Sequence, residues 1–310
     1  METIKILFLA SHWRVSLIKA FQDANQSIEL ICADSDPLAA SFKEANRFQV
    51  LPLFSDSNCL QSLLEICKAE KVSALVPLTN QAIEFIADHR YELEADGRWL
   101  WIPQNRAIDI CHDKWELFKF LIDKGFDTPS TFFPGKLEFS FPLIAKPRRG
   151  EGSKDVFFLE NSDDLEFYMK KCPHHLFQKR IDGQEFSVDA YFDQQGSPRL
   201  IVPRERLEVR GGEVMVSRIN LNGGIIDKVT ALGAGLGLTG PCTIQGIQDD
   251  KFYFTDVNLR FGSGFVHTIS AGGNVPLMMY KELAGQELDS MKMDIKDHSV
   301  MTRYPESIFH

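Results

Sequence analysis

The 310-residue chain has no CxxC pair, and none of its six cysteines stands with histidines at zinc-ligand spacing. That argues against a zinc ribbon, a zinc finger or a thioredoxin-type redox motif. The cysteines, at 32, 59, 67, 111, 172 and 242, lie mostly in apolar surroundings. There a thiol behaves as a small buried hydrophobe, and free thiols of this kind fit a cytoplasmic protein. An excess of positive charge is also missing. The net charge is −9, and basic residues cluster only at 146–149 and 204–210, so nucleic acid is not the expected partner. No apolar run reaches the length of a membrane span. The opening METIKILFLASHW has an acid at position 2 and a short apolar run, the pattern of a buried first strand rather than a signal peptide. GxxxxGK[ST] does not occur, so a phosphate site here is not a P-loop.

What the chain does contain is strand–helix alternation in its first hundred residues. Apolar strands are predicted at 4–10, 28–34, 48–53 and 72–77, with helices at 14–25, 38–46, 57–70 and 80–95. This order predicts a parallel sheet covered on both faces, with ligands at the carboxyl ends of its strands. Those ends are Ser11–Arg14, Asp34–Asp36 and Thr79–Gln81. His12 follows the first strand, and a structural role suits it best. His174 and His175 point apart and suit surface or capping roles. From 113 the pattern changes. Asp113 is positioned to cap a helix whose apolar stripe is Trp115, Phe118, Leu121 and Ile122, with Gly125 ending it. A β-rich stretch follows, interrupted by helices at 161–171 and 223–237. Within it, 200–219 reads as a hairpin turning at Gly211–Gly212, with Arg204, Arg206 and Arg210 on one face. Those guanidiniums suit either a solvated edge or, for one of them, a phosphate or carboxylate.

Residues 241–264, PCTIQGIQDDKFYFTDVNLRFGSG, read as two antiparallel strands joined by a polar turn. Alternate side chains of a strand share a face, so Asp256, Asn258 and Arg260 stand together, and Gln245 joins them if the register allows. Carboxylate and amide oxygens are hard ligands that suit Mg²⁺ shared with substrate phosphates. An arginine beside them suits a phosphoryl group. The same residues also suit the wet side of a surface strand. Upstream, FPLIAKPRRGEGSKDV at 141–156 ends a strand at Lys146 and Pro147, continues through Gly150 and Gly152, and restarts a strand at VFFL. It reads as a hairpin flap whose backbone N–H groups suit phosphates, or as a mobile hairpin with solvated charges. The Gly-rich segment 262–275 precedes a predicted helix, whose N-terminus is a candidate seat for a carboxylate.

Taken together these segments resemble the ATP-grasp superfamily, in its carbamoyl-phosphate-synthase-like and carboxylate–amine ligase branch. The resemblance covers nearly the whole chain. DKWELFKFLIDKGFDTPST at 113–131 resembles the opening helix, with Lys114 as the first nucleotide-binding lysine. PLIAKPRRGEGSKDV resembles the second lysine, Lys146, with the phosphate loop of Gly150, Gly152 and Ser153. HLFQKRIDGQEFSVDAYF at 175–192 resembles the adenine hinge, so Gln178, Lys179 and Ile181 would border adenine and Glu185 would face ribose. The last hairpin resembles the metal strands, with Gln245, Asp256 and Asn258 as ligands and Arg260 on the transferred phosphoryl. The chain departs from the pattern in having Asp256 where Glu is usual and Gln245 where a second acid is usual. It departs again at Ser11–Trp13 and Thr79–Gln81, where substrate selection is expected.

The resemblance implies a fold of two parts. These are a Rossmann-like parallel-sheet domain at 1–112 and a two-lobed ATP-grasp domain at 113–310, with lobes 113–180 and 181–310. It also implies an ATP- and Mg²⁺-dependent ligase that activates a carboxylate as an acyl phosphate and joins it to an amine, releasing ADP and phosphate. Arg260 and Lys146 would be the catalytic residues. The expected partners are a small carboxylate and an amine, with neither nucleic acid nor membrane, and with a homodimer left open. Two alternatives remain: a relative that forms carboxyphosphate or carbamate from bicarbonate, and a nucleotide-binding regulatory protein with weak catalysis.

Overall fold

The computed structural model describes residues 3–24, 27–133, 140–150, 152, 154–289, 291 and 293–309. Three sheets organise it. The first is parallel, in the order β3-β2-β1-β4-β5, built from β1 (Ile4–Leu9), β2 (Ile28–Asp34), β3 (Arg47–Val50), β4 (Ala74–Pro77) and β5 (Trp99–Leu100). Helices α1 (Val15–Ala24), α2 (Cys59–Glu70), α3 (Asn80–Asp88), α4 (Arg90–Glu94) and α5 (Asn105–Cys111) accompany it. Residues 6–9, 30–33 and 74–76 of its central strands are apolar and fully buried on both faces, as a sheet covered on two sides requires. The helix expected at 38–46 is only a 3₁₀ turn, Ala40–Lys43. The single helical pattern at 80–95 is divided at His89 into α3 and α4.

The second sheet is antiparallel, in the order β6-β9-β7-β8, with β6 (Thr131–Phe132), β7 (Leu143–Pro147), β8 (Phe157–Leu159) and β9 (His175–Lys179). Helix α6 (Lys114–Asp123) leads into it, and α7 (Ser162–Lys171) joins β8 to β9. Asp113 caps α6, accepting from the N–H groups of Trp115 and Glu116 at 3.0 and 3.3 Å. A cap of this kind contributes about 1 kcal/mol. The buried stripe of α6 differs from the expected one. Leu117, Phe120 and Leu121 face the core, while Ile122 is exposed. Trp115 and Phe118 stack on each other at a different face, and Trp115 also meets Phe133.

The third sheet is antiparallel, in the order β14-β13-β10-β11-β12-β15. Its strands are β10 (Gln184–Phe192), β11 (Pro198–Arg210), β12 (Glu213–Ile219), β13 (Gly240–Gln248), β14 (Phe252–Asn258) and β15 (Val300–Thr302). Helix α8 (Gly223–Leu236) packs on it, and α9 (Phe265–Ser270) and α10 (Val275–Leu283) follow β14. One face is apolar. Phe186, Val188, Ala190, Ile244 and Val257 join a core shared with α8 and with the first sheet's Leu7, Leu9, Ile31 and Leu75. The polar side chains of the same strands, one residue out of phase, gather on the other face. The parallel sheet and the large antiparallel sheet therefore pack into one core. That brings the carboxyl end of β1 up to the polar face of the large sheet.

Candidate active site

Cross-strand register builds the floor of the site. In antiparallel pairs, directly opposed residues share a face. Arg204 on β11 opposes Ser187 on β10, Ser187 opposes Gln245 on β13, and Gln245 opposes Asp256 on β14. One row across four strands therefore reads Arg204–Ser187–Gln245–Asp256. The neighbouring row reads Asp189–Thr243–Asn258. A bulge between Gln245 and Gly246 leaves Thr255 as the extra residue of β14, so Asp256 and not Thr255 meets Gln245.

The second sheet supplies the opposite wall. Lys114 and Lys146 line a cleft with Gly150, Gly152, Lys154, Gln245, Asp256, Asn258 and Arg260. Lys146 ends β7, and its Nζ donates to Gln178 Oε1 on β9 at 2.9 Å. Gln178 in turn donates to the Thr131 hydroxyl at 2.8 Å, so the lysine is held by a buried relay. Burial pulls the Lys146 ammonium down to a pKa of about 8. The Asp256 carboxylate opposes this, and Lys114 adds to it. Lys114 donates to the Gly150 carbonyl at 2.8 Å, tying the first turn of α6 to the loop between β7 and β8. Arg148 fixes the same loop by pairing both carboxylate oxygens of Asp113 at 2.7 Å. Arg260 lines the cleft just beyond β14, with Nη1 donating to the Phe261 carbonyl at 3.3 Å.

The cleft thus gathers eight of the residues that the resemblance assigns to the nucleotide and metal site: Lys114, Lys146, Gly150, Gly152, Gln245, Asp256, Asn258 and Arg260. Gln178, Lys179, Ile181 and Glu185 stand outside its lining. Gln178 is turned inward to Lys146 and Thr131. Lys179 ends β9, and Ile181 lies in the link to β10. Glu185 lines a depression beside β11 and pairs with Arg206 at 3.3 Å. Ser153 lies outside the described residues.

Two expectations are corrected. Of the three arginines placed on one face, only Arg204 and Arg206 line the cleft; Arg210 stands at the turn end of β11, outside the lining. Arg210 is exposed and pairs with Glu208. The N-terminus of α10 is not an anion seat in this cleft either. Asn274 caps it, accepting from Leu277 N–H at 3.0 Å, and only Gly262, Ser263 and Gly264 of that Gly-rich segment line the cleft.

The structure also brings into the cleft a strand-end residue and hairpin arginines that the sequence named. Arg14 reaches it from the loop after β1, with Nη2 donating to the Leu78 carbonyl at 3.2 Å. Arg204 lies at its floor, bidentate to Asp189 at 2.7 and 3.0 Å. The strand-end position of Arg14 is a signal the sequence offers, but only packing turns that end toward this cleft. None of the six cysteines lines this cleft. Burial pushes the Cys32 thiol up to about 12 and those of Cys59 and Cys67 up to about 11, away from thiolate character.

The donor set fits magnesium under one condition. Asp256, Asn258 and Gln245 offer one carboxylate and two amide oxygens, all hard ligands. Among the described residues no group of three or more His, Cys, Asp or Glu could hold a metal. The set is short of negative charge, so it suits a hydrated Mg²⁺ that completes its shell with phosphate oxygens.

With this geometry in hand, the likeness to known proteins is direct. Residues 111–264 match the ATP-grasp domain, and residues 6–99 match the PylC-like N-terminal domain. The chain therefore carries an ATP-grasp domain behind a PylC-like N-terminal domain, and this defines its class. A carbamoyl-phosphate synthase of Methanobrevibacter smithii is 28% identical over 195 residues, which are 60% of this chain and 51% of that protein. The chain so spans about half the length of that curated relative. Among solved structures, an L-amino acid ligase from Bacillus licheniformis superposes with a TM-score of 0.74 at 18% identity, over 94% of this chain and 78% of that one. An N5-carboxyaminoimidazole synthetase from Staphylococcus aureus, complexed with ADP, gives 0.75 at 15%, over 97% and 82%. Biotin carboxylase from Campylobacter jejuni gives 0.73 at 19%, over 97% and 75%. These likenesses establish the shared fold: an N-terminal parallel-sheet domain followed by an ATP-grasp domain with antiparallel sheets.

Proposed function

We propose that the protein is an ATP- and Mg²⁺-dependent ligase that converts a carboxylate to an acyl phosphate and then joins it to an amine, with ADP and phosphate as the other products. We take residues 1–112 as the pre-ATP-grasp domain and 113–310 as the ATP-grasp domain, its lobes meeting near 180. The observation that carries the reading is the cleft itself. Two lysines, one opening α6 and one on β7, face an acid and two amides of β13 and β14 and the arginine that follows β14.

In this reading Lys114 and Lys146 neutralise phosphate oxygens of ATP, and Gly150 and Gly152 offer backbone N–H groups from above. Gln245, Asp256 and Asn258 would hold Mg²⁺, which would supply charge neutralisation on the phosphates. The substrate carboxylate attacks the γ-phosphorus, the bond from phosphorus to the β–γ bridging oxygen breaks, and ADP leaves. Arg260 stabilises the charge that develops on the transferred group. The amine nitrogen then attacks the acyl carbon, phosphate leaves, and the amine loses a proton to give the amide. The loop between β7 and β8 shields the acyl phosphate from water.

Its likeness to a carbamoyl-phosphate synthase favours a second reading in which the acid is bicarbonate. A screen of carboxylates and amines for ATP-dependent phosphate release tests both. A carboxylate and an amine that together raise phosphate release support the first reading. Release with bicarbonate alone supports the second. No stimulation by any acid removes both and leaves a nucleotide-binding protein with weak catalysis.

A further inference from the structure

The end of the cleft beyond Arg260 is built for an anion, and the reaction just described leaves this feature unused. Arg204 is 1% exposed and sits in a fixed polar nest. Its Nε and Nη2 are spent on Asp189. Asp189 also accepts from the Thr243 hydroxyl at 2.9 Å and the Thr268 hydroxyl at 2.6 Å, so the ion pair cannot swing away. Nη1 of Arg204 is buried and finds no acceptor among the described residues. A buried donor left without an acceptor is costly, and native structures retain few of them.

The Gly264 backbone packs directly against this guanidinium. A Cβ on Gly264 would lie 2.6 Å from Arg204 Nη1, and one on Gly262 would lie 2.6 Å from the Thr243 hydroxyl. Glycine at both positions lets the backbone run against the nest. The same cleft is lined by Arg14, carried on the loop after β1 and anchored to the Leu78 carbonyl. The cleft lining also holds Arg206, Arg260 and three lysines, and among the described residues its acids are only Glu213 and Asp256.

We infer that Arg14 and Arg204, with the Gly262–Gly264 backbone between them, receive a second anionic group of the acid substrate. The acid would then be a diacid: one carboxylate is activated beside Arg260, and another oxyanion is held at the far end. This deepens the ligase reading and rests on it for the identity of the reacting end. Arg204 is the pre-set partner, because its ion pair and two threonines hold its orientation. Arg14 belongs to the N-terminal domain, so diacid binding ties that domain to the ATP-grasp cleft.

The test reads binding and needs no turnover. Protein saturated with magnesium and a non-hydrolysable ATP analogue is titrated calorimetrically with matched acids: succinate against butyrate, and glutarate against valerate. 3-Phosphonopropionate is the third arm, carrying a phosphonate as its second anion. The inference expects the doubly anionic ligands to bind about ten- to a hundredfold more tightly than the matched monoacids. That preference should shrink to near unity in Arg14→Met, with affinity for the ATP analogue retained. Whether succinate or the phosphonate binds tighter names the second group. Arg204→Lys, which keeps a charge beside Asp189, should weaken the preference as well. Equal binding of mono- and diacids overturns the inference. So does a preference that survives in Arg14→Met, or failure of every acid to bind. Diacids that bind but never stimulate phosphate release would instead refute the ligase reading and leave the anion subsite standing.

Discussion

Lys146 offers a signal that an ordinary surface lysine would not give. In the ligand-free protein its burial sets the ammonium at a pKa of about 8, down from 10.5. The phosphates of ATP keep a net negative charge even with one Mg²⁺ bound, so bringing them against Lys146 must raise that pKa. Nucleotide binding should therefore draw a proton from solution. With a starting pKa of about 8, roughly half of the lysine is unprotonated at pH 8 and about a tenth at pH 7. Uptake should accordingly approach half a proton per nucleotide at pH 8 and about a tenth at pH 7. Calorimetry of MgATP-analogue binding in buffers of different ionisation enthalpy measures this directly. Lys146→Met should abolish the uptake and weaken binding by about ten- to a hundredfold, the loss expected for one charge-assisted contact in a partly dry site. The same shift has a stability sign. Below about pH 8 the ammonium is charged in both states, and its burial works against folding. As pH rises from about 8 toward 10.5 only the unfolded chain keeps the proton, so this cost is relieved. No proton uptake at pH 8, or equal uptake in wild type and Lys146→Met, would refute the reasoning.

Three further outcomes follow from single contacts. Asp256→Asn should lower turnover far more than it lowers nucleotide affinity, because charge on the transferred phosphoryl develops during the reaction; wild-type kcat at saturating magnesium would return Asp256 to an ordinary surface role. Gly264→Ala should destabilise the fold by about 1–3 kcal/mol, since the new methyl would meet Arg204 Nη1 at 2.6 Å and the buried nest has little room to yield. An unchanged Tm would show that the segment is looser than its packing implies. Asp113→Ala should cost about 1 kcal/mol for the lost cap, and more for the lost Arg148 pair. Burial tends to raise the Asp113 carboxyl, but the Arg148 hydrogen bond and two backbone N–H groups bring it below the usual value. Its contribution is present at neutral pH and lost as pH falls through the carboxylate range, so the Tm gap between wild type and Asp113→Ala should close in acid.

Much of the fold was legible from local pattern. The buried strands of the first sheet announced themselves as apolar runs, and Asp113 was readable as a cap because Asp is followed at once by a helical pattern. Where the reading failed, a competing local effect decided. The 38–46 stretch holds only a 3₁₀ turn. Helix α6 turned a different face to the core, because Leu117 and Phe120 extend a stripe with Leu121 and leave Ile122 outside. Alternation on one strand already put Asp256 and Asn258 on one face. The row that adds Gln245, Ser187 and Arg204 depends on strand pairing and on a bulge at Gln245/Gly246, and neither is written in a single strand. Arg14 stands at a strand end that the sequence marks, but which cleft that end meets is set by the packing of two sheets. Arg210 stays out of the cleft because it lies at the turn end of β11, where it is exposed and pairs with Glu208.

The central claim is that a carboxylate oxygen attacks the γ-phosphorus of ATP. Once a productive acid and amine are in hand, the acid is supplied with its carboxylate labelled with ¹⁸O, and the products are read by mass spectrometry and ³¹P NMR. The account predicts ADP as the nucleotide product and one labelled oxygen in each released phosphate, with an acyl hydroxamate formed when hydroxylamine replaces the amine. Label found in AMP, with pyrophosphate released, would contradict it, since the attack would then have fallen on the α-phosphorus.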